Sequence, residues 1–131
     1  MIGLDTNVVV RYFTHDDPKQ TATAQKLMDS LSPEARGFLS LVVILELVWV
    51  LQSGYRFPDD EIVSALETLL RSKELMVERA DVAWQALRMF RMGPAEFADC
   101  LIERCNHEAG CRHTVTFDRE AASTAGMKLL N

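Results

Sequence analysis

The sequence predicts an α/β fold built on a mainly parallel sheet, and three observations carry that prediction. Short apolar stretches that read as strands alternate along the whole chain with longer segments whose apolar residues recur at helical spacing. Clusters of turn formers separate them, with no repeat, low-complexity tract or linker, and such alternation builds strand–helix–strand units. Two of the strand-like stretches end in an aspartate, Asp5 and Asp118, and the carboxyl ends of parallel strands are where open α/β sheets present their chemistry.

Met1–Leu4 is the first strand-like lead, and a helix beginning at Asn7 or Val8 follows, with Asp5 or Thr6 as its cap. His15 falls in the next loop; Asp17 caps a second helix with Pro18 at its first position, and Ala24, Leu27, Met28 and Leu31 give it an apolar face. Ser32-Pro33-Glu34 marks a break. Gly37–Leu39 is a short strand, and the apolar run from Leu41 to Leu51 is too long for one, so it is a buried helix capped by Ser40. Asp60 opens an amphipathic helix through Ile62, Leu66, Leu69 and Leu70. Leu75–Glu78 is a strand, Ala83, Leu87 and Phe90 lie on a helix ending at Gly93-Pro94, and another begins around Ala95 and stops at Gly110. His113–Phe117 is a strand ending in Asp118, Ala121–Ala125 a short helix, and Met127–Leu130 a last edge strand.

Composition bounds the answer. A chain of 131 residues is expected to be one domain, spanning 1–131, with a core that needs no disulfide or metal staple. Cys100, Cys105 and Cys111 are odd in number and clustered, which suits reduced thiols in the cytoplasm. No membrane span or signal peptide is expected. The net charge of −5 argues against a broad electrostatic grip on nucleic acid.

Four carboxylates stand out. Asp5 and Asp118 end strands, while Glu46 and Asp99 lie on helices that such strands feed. Glu46 is the lone charge in its apolar helix; burying it costs several kcal/mol unless it is paired or bound, and the alternative is a narrow exposed stripe or an arginine partner. Asp99 in a first turn also suits the helix dipole. Brought together, the four would repel one another until a cation neutralised them. A hard divalent ion with oxygen ligands, Mg²⁺ or Mn²⁺, is the natural answer, and such a site can activate water against a phosphodiester. No phosphate loop, nucleophile elbow or recognised Cys/His/Asp set competes.

The opening G-L-D-T-N, the S-L-V-V-I-L-E-L-V-W-V-L helix, the E-F-A-D-C-L-I segment and the closing T-F-D-R together resemble PIN-domain ribonucleases, in particular the VapC-like toxins of type II toxin–antitoxin systems. The resemblance implies a three-layer α/β/α fold with a central, mainly parallel sheet, and metal-dependent endonucleolytic cleavage of RNA. It makes Asp5, Glu46, Asp99 and Asp118 the catalytic acidic quartet. Asp5 and Asp99 are then the main direct ligands to Mg²⁺ or Mn²⁺, with Asp118 and Glu46 holding metal-bound waters or a second ion. Asn7 and Thr116 fall beside the quartet as substrate-binding or orienting residues. The same resemblance implies a homodimer and a cognate antitoxin that occupies the substrate groove.

Setting the quartet aside leaves 15 acidic against 14 basic residues, a nearly neutral scaffold. RNA contact then rests on a few residues such as Arg11, Arg56 or Arg119, and the apolar residues of the first two helices are the first place to look for a protein partner. Two other enzymatic or metal readings fit less well. Zinc on Cys105, His107, Cys111 and His113 has an unusual spacing, and a haloacid-dehalogenase-like phosphatase needs an aspartate where Asn7 stands. The alternative function is a non-catalytic module whose acidic pocket binds a basic segment of a partner.

Overall fold

Four helix starts are fixed by side chains that the sequence already marks. Asp5, Asp17, Ser40 and Asp118 each accept a backbone N–H at the head of a helix, satisfying a donor that would otherwise be orphaned. The computed structural model describes residues 1–131 throughout, in two compact units, Met1–Glu78 and Arg79–Asn131.

The N-terminal unit runs β1 (Ile2–Gly3), α1 (Thr6–Phe13), α2 (Pro18–Ser30), β2 (Gly37–Leu39), α3 (Leu41–Ser53), α4 (Asp59–Arg71) and β3 (Leu75–Val77). Its three strands form a parallel sheet in the order β1-β2-β3, with Gly37 opposite Ile2 on one side and Leu75 on the other. A Cβ at Gly37 would lie 3.0 Å from Leu4 and Leu31 and 3.1 Å from Leu75, so the central strand starts where only glycine fits without a shift. Helix α1 packs on α2 and α3, and α4 packs on α3 and β3. Val9, Leu39, Ile44, Leu47, Leu51, Ile62, Leu66 and Leu69 are fully buried, the apolar faces that hold these helices in place.

Helix α3 is buried along one side only, and the exposed stripe that was the alternative for Glu46 is the arrangement found. It buries Val43, Ile44, Leu47, Val48 and Leu51 and leaves a stripe of Val42, Glu46 and Trp49 in solvent. Val42 and Trp49 are 67% and 68% exposed, so Glu46 avoids the burial cost that its sequence surroundings suggested. The first two helices expose no large apolar residue; the exposed ones include Val42 and Trp49 on α3 instead.

The C-terminal unit runs α5 (Ala80–Met92), α6 (Phe97–Glu108), β4 (Val115–Thr116), α7 (Arg119–Thr124) and β5 (Lys128–Leu129). Helices α5 and α6 pack against each other, with Phe90 and Phe97 edge to face at 5.9 Å. Gly110, at φ +96°, ends the α6 region in a conformation that glycine reaches without strain. Strands β4 and β5 form their own two-stranded parallel ladder, so the strand pairing is parallel throughout but divided between two sheets rather than one. Strand β4 is shorter than His113–Phe117 because its ladder with β5 spans two residues and the chain then turns at Asp118, leaving Phe117 80% exposed. No helix is long and apolar enough to cross a membrane.

Candidate active site

Asp5 leaves β1 and caps α1: its carboxylate accepts the Thr6 N–H at 2.7 Å, so capping and display of an exposed carboxylate coincide in one residue. Thr6, the first residue of α1, is buried apart from 8% of its surface, and its hydroxyl donates to Oε1 of Glu46 at 2.6 Å. That bond spans 40 residues of sequence and ties the head of α1 to the exposed stripe of α3. Asp5 and Glu46 are thus held from the backbone and side chain of a single threonine. Sequence reasoning gave Thr6 only a capping role, because nothing local marks a hydroxyl for a glutamate so far along the chain. Asn7 follows at the surface, and its side chain makes no hydrogen bond within the chain.

In the C-terminal unit Asp99 sits in the first turn of α6, half-buried, and Asp118 caps α7 by accepting the Glu120 N–H at 2.9 Å. Burial, and next the charge of Asp118, push the Asp99 carboxyl above the usual aspartate value. Thr116 accepts the Asp118 N–H at 3.0 Å and so fixes the turn from which Asp118 projects.

No three His, Cys, Asp or Glu side chains are gathered to hold a metal ion unaided. The donors nonetheless suit a hard cation in kind: all are carboxylate oxygens, most are open to water, and Asp99 and Asp118 repel in a way that a cation relieves. Mg²⁺ ordinarily takes one or two carboxylates and fills its remaining positions with water and substrate phosphate. Asp99 with Asp118, within the C-terminal unit, and Asp5 with Glu46, within the N-terminal unit, are donor sets of that size.

Parallel strand pairing, helices between strands and exposed carboxylates at helix heads define an α/β protein. The chain belongs to the PIN domain family, whose model matches residues 2–127, and its fold is the α/β/α fold of that family. It is 27% identical over 129 residues to a VapC ribonuclease of Aquifex aeolicus, a match covering 98% of this chain and 94% of the relative. A solved structure, VapC20 of Mycobacterium tuberculosis, titled a sarcin–ricin loop cleaving toxin, aligns over 94% of each chain at 22% identity with a TM-score of 0.47.

Proposed function

We propose that this chain is the toxin of a type II toxin–antitoxin system, an endoribonuclease that cuts RNA with Mg²⁺ or Mn²⁺. The observation that carries the proposal is the PIN-family match over residues 2–127, a span that includes the positions of Asp5, Glu46, Asp99 and Asp118. The VapC relative, matched over nearly its whole length, adds to it. Residues 1–131 act as one PIN domain in the cytoplasm, as a homodimer, with an antitoxin protein as the regulating partner.

In this reading Asp5 and Asp99 hold the ion, and Asp118 and Glu46 hold its waters. A bound ion supplies charge neutralisation at the phosphate and an acidified water. The protein supplies position. Asp5 is anchored by the Thr6 N–H and Glu46 by the Thr6 hydroxyl, so neither carboxylate has to be ordered when substrate arrives. Asn7 and Thr116 orient substrate or carboxylates beside them.

The test is cleavage of a panel of structured and single-stranded RNAs by antitoxin-free protein in Mg²⁺, Mn²⁺ or EDTA. Asn caps a helix as well as Asp, so Asp5→Asn should fold normally while losing at least ~100-fold in activity. Cleavage that persists in EDTA, or in Asp5→Asn, refutes the metal mechanism. Metal-dependent cleavage that the variant loses supports it.

A further inference from the structure

Helices α1 and α2 enclose a groove of about 680 Å³ within the N-terminal unit. Its polar lining is Asn7, Arg11, Lys19, Gln20 and Thr23, with Val8, Ala24 and Leu27 as apolar wall. The volume is that of a small-ligand site. The groove reaches Asn7, in the first turn of α1, the helix that Asp5 caps.

Arg11 is set in advance for an anion. Its Nε donates to Gln20 Oε1 at 2.7 Å, and its Nη1 donates to Asp16 at 2.9 Å and to the Tyr55 hydroxyl at 2.9 Å. Tyr55 in turn donates to the other Asp16 oxygen at 2.8 Å, closing a ring across the loop before α2 and the turn after α3. The planar fork is therefore fixed while Nη2 makes no bond within the chain. A guanidinium held this way loses little freedom on meeting a phosphate. Lys19 adds a second, mobile cation, and Asn7, Gln20 and Thr23 offer the mixed donors and acceptors that ribose hydroxyls and base edges need.

We propose that the α1–α2 groove binds one nucleotide of single-stranded RNA next to the bond that is cut, its phosphate on Arg11 and Lys19 and its sugar or base against Val8 and Leu27. The proposal rests on the ribonuclease reading. Asp16 offsets part of the positive charge, so the grip is short-ranged and selective rather than a general attraction for polyanions.

The experiment uses the full chain carrying Asp5→Asn, which keeps RNA intact, and follows the anisotropy of a fluorescein-labelled 12-nucleotide single-stranded RNA in Mg²⁺. Lys19→Gln should bind about fivefold more weakly at 50 mM salt and about twofold at 200 mM, the change expected for one lost phosphate contact. Thr23→Glu, which adds a carboxylate to the groove, should lose at least as much, and Lys19→Arg should restore binding. Lys19 and Thr23 are exposed, so urea midpoints should not move and a folding defect is separable. Unchanged affinity in Lys19→Gln and Thr23→Glu, with RNA still bound and still cut by the chain carrying Asp5, overturns the groove alone. Absence of both binding and cutting overturns the ribonuclease reading and the groove with it. Intact RNA binding with antitoxin capture lost in Thr23→Glu overturns the proposal in favour of a protein occupant.

Discussion

Removing the Thr6 hydroxyl tests whether one side chain serves both fold and chemistry. Thr6→Val keeps the shape of the side chain and deletes the donor that reaches Glu46 at 2.6 Å. A hydrogen bond to a charged group contributes about 1.5–3 kcal/mol, and Glu46 can recover water because it is exposed, so the loss should sit near the lower figure, about 1.5 kcal/mol. With a urea slope of about 2 kcal/mol per molar, that moves the midpoint down by about 0.7 M. Unfolding is followed by the loss of helical circular dichroism. A cycle of Thr6→Val, Glu46→Ala and the double variant isolates the pair, and a coupling of about 1 kcal/mol or more is expected. Thr6→Ser should retain most of it. On activity, Thr6→Val should lower cleavage about tenfold or more by freeing Glu46, the size usual for a group that orients a metal-site ligand. A coupling near zero, or full activity in Thr6→Val, would refute the view that Thr6 positions Glu46.

Asp99 gives a pH prediction with a definite sign. Its carboxyl titrates above the ordinary aspartate value of 3.8, chiefly through burial and then through Asp118, so the folded state holds a proton that the unfolded state has released. Stability therefore falls as pH rises from 3.8 through the raised folded value and is level above it, and Asp99→Asn should flatten that part of a melting-temperature profile. Asp118→Asn should bring the Asp99 titration, followed by carbon NMR of the carboxyl, part of the way back down. The cysteines should separate by reactivity: burial, and next the charge of Asp99, push the Cys100 thiol up to about 11, whereas Cys111 is exposed. At pH 8 about a thousandth of Cys100 is thiolate, so iodoacetamide followed by mass spectrometry should label Cys111 first and Cys100 only after unfolding. Early labelling of Cys100 in folded protein would contradict its burial.

Most of the fold was legible because its determinants are local. Ser40 and Asp17 cap the helices expected of them, Gly37–Leu39 is the strand the sequence marks, and Leu75–Val77 lies within the stretch expected. The failures are where distant parts of the chain decide. Helix α3 is apolar on nearly every face, so its pattern carries no direction, and only the packing of α1 and α4 against it leaves Glu46 on the open side. The division of the strands between two ladders depends on which backbones pair, and two-residue strands carry too little pattern to say. The four carboxylates were marked by their residue type and surroundings, whereas Thr6 and the Arg11–Asp16–Tyr55 ring were not, since each is a contact across roughly 40 residues or more.

On the proposed function, an acidic chain acts on a polyanion, and its charge has to be arranged rather than reversed. Four of its 19 acidic residues are committed to the proposed site, where a divalent ion would turn a repulsive patch into an attractive one for phosphate. What remains is close to neutral, so long-range attraction is weak and recognition falls to short-range contacts. Arg11 shows how such a contact can be made: its charge is shared with Asp16, yet its geometry is fixed by three hydrogen bonds. An unshared cation would draw any nucleic acid, whereas a shared and rigid one favours only a phosphate that arrives in the right place. Under the proposed ribonuclease function, the modest charge of this surface then works toward selectivity, because little affinity is spread over sequences and shapes that do not fit the groove.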